Sequence, residues 1–283
     1  MLDTILYRFK KIIPSGFFIR VQPAYHCIMA LLSVIIYRFP SRKTKVVAVT
    51  GTKGKTSVTE ILSAILEEAG YKIALSNTIR FKIGGRSRPN LCKMSMPGRF
   101  FVQRFLRQAV NAGCDYVVME VTSQGALMRR HRFIDFDALI FTNIAPEHIE
   151  AHGSYEKYVA VKLAIADAVS RSGKKPTILV ANADDRQSSC FLAKNFTEKH
   201  TYSLNDAKPY NIFKEGFAMT VRGTSIKSPL SGEFNISNTL AAIIFAETQN
   251  ISIETSKKAV EKLKIIPGRV EKIDEGQNFA IIV

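Results

Sequence analysis

The chain has 283 residues, 46% hydrophobic and 23% charged, which excludes a disordered segment and gives room for about two domains. Its 40 Lys and Arg against 24 Asp and Glu leave a formal net charge of +16, suited to nucleic acid, an anionic membrane surface or an acidic substrate without choosing among them. Four widely spaced cysteines, Cys27, Cys92, Cys114 and Cys190, form no C-x-x-C pair, which argues against a zinc ribbon or secreted disulfide scaffold and suits a reducing cytoplasm.

Residues 1–45 carry eight Lys and Arg against one acid, Asp3. Within them the run CIMALLSVIIY, 27–37, is too short to span a bilayer and is followed by no small-residue cleavage site. Two readings stand: a helix packed on the main domain, or a basic amphipathic segment on the cytoplasmic face of a membrane. Pro14, Pro23 and Pro40 are expected to divide the segment into short pieces.

The next stretch, VVAVTGTKGKTSVTEIL (46–62), predicts a strand, a tight loop and a helix reaching Gly70. Gly51 and Gly54 let the backbone approach a ligand, the helix N-terminus offers amides to an anion, and Lys55 adds a mobile positive charge. With Thr52 and Lys53 completing the loop, a triphosphate fits, and Thr56 and Ser57 open the helix with a hydroxyl placed for Mg²⁺. Val49 stands where the usual phosphate loop has its first glycine. The competing reading is a glycine-rich turn with an exposed lysine; the strand and helix on either side favour the phosphate loop.

Further along, CDYVVMEVT (114–122), DALIFTN (137–143) and PTILVAN (176–182) read as buried parallel strands of an α/β sheet. The strands end in Thr50, Glu120, Asn143 and Asn182, and ligands bind at the carboxyl ends of such strands. Glu120 is where an acid reaching Mg²⁺ through water is expected. In TNIAPEHIEAHGSYEKYVAVKLAI (142–165), His148 and His152 stand four apart, but Pro146 and Gly153 oppose a helix, so a lone role for His148 beside Mg²⁺ or phosphate is preferred to a zinc pair. From spacing alone Lys162 passes for a solvated lysine. KHTYSL and FAMTVRG alternate like strands and predict a small β excursion around 200–234.

The motifs GTKGKTS (51–57), MEVTS (119–123), TNIAPEHIEAHG (142–153) followed by Lys162, NADD (182–185), GEFNISN (232–238) and PGR (267–269) occur in one order over residues 45–283. Together they resemble the Mur ligases, most of all the UDP-N-acetylmuramoyl-tripeptide synthetase branch. The resemblance implies a P-loop-containing α/β central domain over 46–268 with a parallel sheet flanked by helices. The basic segment 1–45 stands in place of the family's uridine-diphosphate domain, and 269–283 begins a C-terminal domain that looks cut short at FAIIV, 279–283.

The activity implied is that of a cytoplasmic, ADP-forming amide ligase of peptidoglycan precursor synthesis. ATP phosphorylates a substrate carboxylate, an amino group attacks the acyl phosphate, and phosphate leaves. By the same resemblance Lys55 holds the β and γ phosphates, Thr56 binds Mg²⁺, Glu120 and His148 serve the two magnesium sites, and Lys162 matches the family's carbamylated lysine. Gly51, Thr52, Lys53, Gly54, Ser57 and Asn143 complete the nucleotide site, Asn235 and Asn238 approach adenine, and Arg269 meets the nucleotide from the far side. Ser95, Thr122, Ser123 and Arg130 fall at contacts to the muramoyl peptide. KMSMP (93–97) replaces the family's N-T-T-P, and Met128 stands where glutamine is usual.

The partners implied are a small-molecule cell-wall precursor and an amino acid, without nucleic acid. The atypical N-terminus raises a lipid-linked acceptor at the membrane surface as a hypothesis. Alternatives are a folylpolyglutamate synthase-like or lipid-intermediate amidating ligase, and a non-enzymatic nucleotide or nucleic-acid binder. The amidating enzymes usually carry a four-cysteine zinc ribbon not found here. The E-V-T-S sequence favours the peptidoglycan branch over the folate one, and the basic residues show no aromatic-interleaved patch.

Overall fold

The structure is a computed structural model, and it describes residues 15–92, 94–147, 153–269, 272–273 and 281–282. The first helix, α1 (Ser15–Ile36), continues through Pro23, where the sequence predicted a break. A proline removes one backbone donor and bends a helix; the turns after it are held by burial of Ala30 and Val34. A 3-10 turn at Pro40–Lys43 leads into β1 (Lys45–Thr50), and residues 51–54 connect it to α2 (Lys55–Glu68).

Next come β2 (Ile73–Ser76), β3 (Arg80–Ile83), β4 (Arg86–Pro89) and α3 (Arg99–Asn111). The chain alternates through β5 (Tyr116–Glu120), α4 (Ser123–Leu127), β6 (Ala138–Phe141), α5 (Tyr155–Ser170), β7 (Ile178–Asn182), α6 (Ser188–Leu192) and β8 (Glu198–Tyr202). It ends in β9 (Tyr210–Phe213), β10 (Gly216–Val221), β11 (Thr224–Ser228), α7 (Glu233–Thr248), α8 (Ile253–Lys262) and the short pair β12 (Lys272–Ile273) and β13 (Ile281–Ile282).

Eight strands form one sheet in the order β4-β3-β2-β5-β1-β6-β7-β8, parallel from β2 to β8, with β3 and β4 added antiparallel at one edge. In β1, Val47 and Val49 join the core on one face while Val46 and Ala48 join the core on the other. Both faces are covered, so such strands read as unbroken apolar runs rather than alternating ones. One core adds α2, α7, α8 and the β9–β11 sheet; the other adds α3, α5 and α6.

The predicted excursion needs one correction. Residues 199–202 of KHTYSL lie in β8, the outer parallel strand, and the separate three-stranded sheet spans only β9 to β11. An edge strand is solvated on part of its surface, so its polar alternation resembles that of an antiparallel ribbon. Tyr202 nevertheless ties β8 to the sheet, its hydroxyl donating to the Phe141 carbonyl at 3.2 Å. Among the described residues no helix is long and apolar enough to cross a membrane.

Candidate functional site

Parallel strands deliver their following loops to one edge of the sheet, and there β1, β5 and β6 surround a cleft of about 1000 Å³. Its floor is the 51–54 loop. A Cβ on Gly51 would lie 1.9 Å from Thr142 Oγ1, and one on Gly54, at φ +82°, would lie 2.3 Å from Asn238 Oδ1. Both positions therefore exclude side chains. Among the described residues the amides of Gly54, Lys55, Thr56 and Ser57 have no hydrogen-bond partner, as expected for the first turn of a helix; the first intrahelical bond is Val58 N–H to Gly54 O, at 2.8 Å. Four open amides and the positive end of α2 form a cradle for an anion.

The loop is braced from β6. Lys53 N–H donates to Asn143 Oδ1 at 2.9 Å, Thr52 N–H donates to Asn143 O at 2.8 Å, and Thr142 Oγ1 donates to Lys53 O at 2.7 Å. The NADD motif supports this brace from behind: Asn182 Nδ2 donates to Thr142 O, and Asp185 accepts from the Ile144 amide, each at 2.8 Å.

Three cations converge on the loop. Lys55 Nζ folds back to donate to Gly51 O at 3.0 Å and Thr52 O at 2.7 Å, and Arg269 Nη2 donates to Thr56 Oγ1 at 3.0 Å. Lys162, predicted from spacing to be solvated, is instead 1% exposed; its Nζ donates to Gly51 O at 2.7 Å and lies 4.9 Å from the Tyr158 ring centroid. It lies on the buried face of α5 with Tyr158, Val159, Ile165, Ala166 and Val169, a regular helical spacing that the expected core face through Leu163 overlooked.

Burial lowers the pKa of Lys55, with Arg269 adding to the effect and Glu120 and Glu147 opposing it. Burial, and then the charge of Lys55, hold Lys162 well below its ordinary 10.5.

Glu120 ends β5 fully buried behind the cleft wall. Its Oε2 accepts from Thr78 Oγ1 at 2.8 Å, and its Oε1 has no partner among the described residues. An unpaired buried carboxylate oxygen is costly unless something fills its place. Mg²⁺ fits that requirement, being a hard ion that takes oxygen donors such as Glu120 and the Thr56 hydroxyl and keeps substrate phosphates in its shell. Among the described residues no group of three or more His, Cys, Asp or Glu forms a metal cluster. His148 and His152 lie outside the described residues.

On the opposite wall Ser95 shares a hydrogen bond with Thr78 at 2.5 Å. Thr122 Oγ1 caps α4 by accepting from Gly125 N–H at 3.1 Å, and Ser123 follows it on the cleft wall. Arg130 also lines the cleft, its guanidinium held by Met96 O and Met128 Sδ. Asn238 faces the cleft, whereas Asn235 lies behind it, accepting from Asn238 Nδ2 at 3.0 Å and donating to Ser231 O at 2.8 Å. Sequence reasoning missed three neighbours: Thr78 between Ser95 and Glu120, Glu147 in an ion pair with Lys53 at 3.0 Å, and Phe234, 54% exposed on the wall beside Asn238. Thr78 follows β2, and the position just after a parallel strand was a signal available for it.

The chain is 32% identical over 268 residues to UDP-N-acetylmuramoyl-L-alanyl-D-glutamate--2,6-diaminopimelate ligase of Geobacillus kaustophilus, covering 90% of this chain and 54% of that protein. It is 33% identical over 274 residues to UDP-N-acetylmuramyl-tripeptide synthetase of Roseiflexus sp., again covering 90% and 54%. The chain thus spans about half the length of the curated relatives it matches.

Among solved structures, a UDP-N-acetylmuramoyl-L-alanyl-D-glutamate--2,6-diaminopimelate ligase superposes with a TM-score of 0.70 at 23% identity, over 81% of this chain and 48% of that one. Folylpolyglutamate synthase of Mycobacterium tuberculosis, complexed with ADP and AMPPCP, gives 0.72 at 15% identity over 90% and 66%. These two likenesses concern the fold. The Mur ligase middle domain matches residues 49–246, from the end of β1 into α7, and so takes in the anion cradle, Glu120, Lys162 and Asn238: the chain belongs to the Mur ligase family.

Proposed function

We propose that this chain is the nucleotide-binding core of an ATP-dependent, ADP-forming ligase that joins an amino acid to a muramoyl-peptide carboxylate through an acyl phosphate. The observation that carries this reading is that four open amides and Lys55 line one cleft, with the unpartnered oxygen of Glu120 buried behind its wall. The relatives' printed names supply the substrate class. Folylpolyglutamate synthases share the fold, and the sequence relatives favour the muramoyl acceptor.

In this reading the amides of residues 54–57 and Lys55 fix the β and γ phosphates of ATP, with Gly51, Thr52, Lys53 and Asn143 shaping the loop beneath them. Asn238, oriented by Asn235, borders the base and Arg269 closes over the nucleotide. Thr56, Glu120 and His148 hold Mg²⁺, which supplies charge neutralisation around the transferring phosphoryl group. Lys162, whose pKa burial lowers, adds as the neutral amine through its lone pair to CO₂ and releases a proton, becoming an anionic carbamate oxygen donor. Ser95, Thr122, Ser123 and Arg130 orient the acceptor carboxylate. Residues 46–268 form the ATP-binding domain and 269–283 open the next. We place the reaction in the cytoplasm, with residues 1–45 at the inner face of the membrane.

Calorimetry with Mg²⁺-ATP on the chain and on Lys55→Ala tests the core of this reading. Binding by the wild type and its loss in the variant is expected; a wild type that binds no nucleotide overturns it.

A further inference from the structure

Burial on α1 is inverted relative to an ordinary surface helix. Its inward side buries Ala30, Ser33 and Val34, and it packs along α3. Its outward side presents Tyr25, Ile28, Leu31, Leu32, Ile35 and Ile36, of which Ile28, Ile35 and Ile36 are 57%, 51% and 61% exposed. A helix against water places polar residues there; here an apolar stripe runs for three turns, the kind of surface that marks an interaction site. The stripe is firmly mounted, because Arg107 of α3 donates to the carbonyls of Tyr37 and Arg38 just past the end of the helix.

Cations are exposed at the C-terminal end of the stripe, one of them, Arg42, ion-paired with Asp135 at 3.0 Å. No acid occurs between Asp3 and Glu60. Arg38, Arg42 and Lys43 are exposed beyond the C-terminal end of α1. On the inward side, which His26 shares with Ala30, Ser33 and Val34, Arg99, Arg129 and Arg130 are close enough to His26 to add to the lowering of its pKa that burial begins.

We propose that the outward face of α1 docks, lying parallel to the surface, on an anionic lipid bilayer. This inference rests on the placement of residues 1–45 at the inner membrane face and names the contact, its orientation and the lipid charge. The helix is not apolar enough over its length to span, and an exposed apolar stripe with cationic flanks is the pattern of an interfacial helix. A second copy is the weaker occupant. An isologous pairing would set the same cationic flanks of two +16 chains against each other, whereas acidic headgroups neutralise them.

The test is co-sedimentation of the full chain with phosphatidylcholine vesicles, with and without phosphatidylglycerol. Binding only to the phosphatidylglycerol vesicles is expected, weakened by salt and by the double variant Arg38→Gln, Lys43→Gln. The triple variant Ile28→Ser, Leu32→Ser, Ile36→Ser should bind at least about tenfold more weakly, since it removes three apolar contacts from already exposed positions. The proposal is overturned if the wild type stays in the supernatant or the triple variant binds equally well. It is also overturned if light scattering finds a dimer that the triple variant dissolves, which assigns the face to a second copy. Mg²⁺-ATP binding, measured on the same proteins, should not differ between the wild type and the triple variant. A wild type that binds vesicles but no nucleotide would remove the ligase reading and leave this one standing.

Discussion

Lys162 has 1% of its surface exposed and no carboxylate partner among the described residues; a carbonyl and an aromatic ring are all that receive its ammonium. Its folded pKa lies below the unfolded 10.5, so the unfolded chain binds more protons at any pH between those two values. The burial cost is therefore full below the lowered value, shrinks as pH rises and vanishes above 10.5. Replacing Lys162 by Met should raise stability in urea at neutral pH by about 1–3 kcal/mol and remove part of the rise of stability with pH, Lys55 supplying the rest. A loss of stability in Lys162→Met would show that the amine is already paid for by an ionic partner. In ¹³C-bicarbonate buffer the wild type should give a carbamate resonance that the Met variant lacks. A second prediction concerns Thr78, the sole hydrogen-bond partner of Glu120 among the described residues. Thr78→Val should destabilise the chain by about 1–3 kcal/mol, read from denaturant midpoints, because it leaves a buried carboxylate without a donor. The two sites also mark what could be read beforehand at this scale. Lys55 and Glu120 stand beside their own strands and were legible; Thr78 follows a strand too, but its partner is 42 positions away, and Lys162 sits at helical spacing on the buried face of α5, where its charge disguised it as a solvated residue.

At the scale of elements, legibility followed environment. Strands β1, β5, β6 and β7 are buried on both faces and announced themselves as apolar runs, whereas β8 at the sheet edge looked like part of a different sheet. Helix α1 defied its proline because tertiary burial outweighs one lost backbone bond, a balance set by residues of α3 far along the chain. The helix that carries Lys162 has a local start signal as well: Ser154 is its N-cap, accepting from the Lys157 amide at 3.2 Å. Ser154→Ala should cost about 1 kcal/mol of stability, and Ser154→Gly only a few tenths, because glycine leaves the capping amides open to water. Equal losses in the two variants would mean that the start of α5 is held by its packing rather than by its cap. Thermal unfolding of the pair gives the comparison directly.

For the whole molecule, the informative fact is how far apart in the chain the cleft's residues begin. The loop with the open amides lies at 51–57, its brace at Asn143, and the cleft's far wall at Asn238 and Arg269, with Arg269 bonded to Thr56 across 213 positions. Motif order could suggest which residues belong to the site, but only the packing of α2 on α7 brings Gly54 against Asn238. A ligand held by this cleft therefore contacts groups that come together only when the whole sheet and both of its cores are formed. Mg²⁺-ATP at 100 times its dissociation constant should stabilise the native state by about 2.7 kcal/mol. If the molecule unfolds as one unit, that energy should appear as an upward displacement of a single thermal transition, followed equally by far-ultraviolet circular dichroism and by calorimetry. Lys55→Ala should keep the transition and lose the displacement. A profile in which ATP moves only one of two transitions would place the nucleotide on a subset of these elements and dissolve the link between the 51–57 loop and the 238–269 wall.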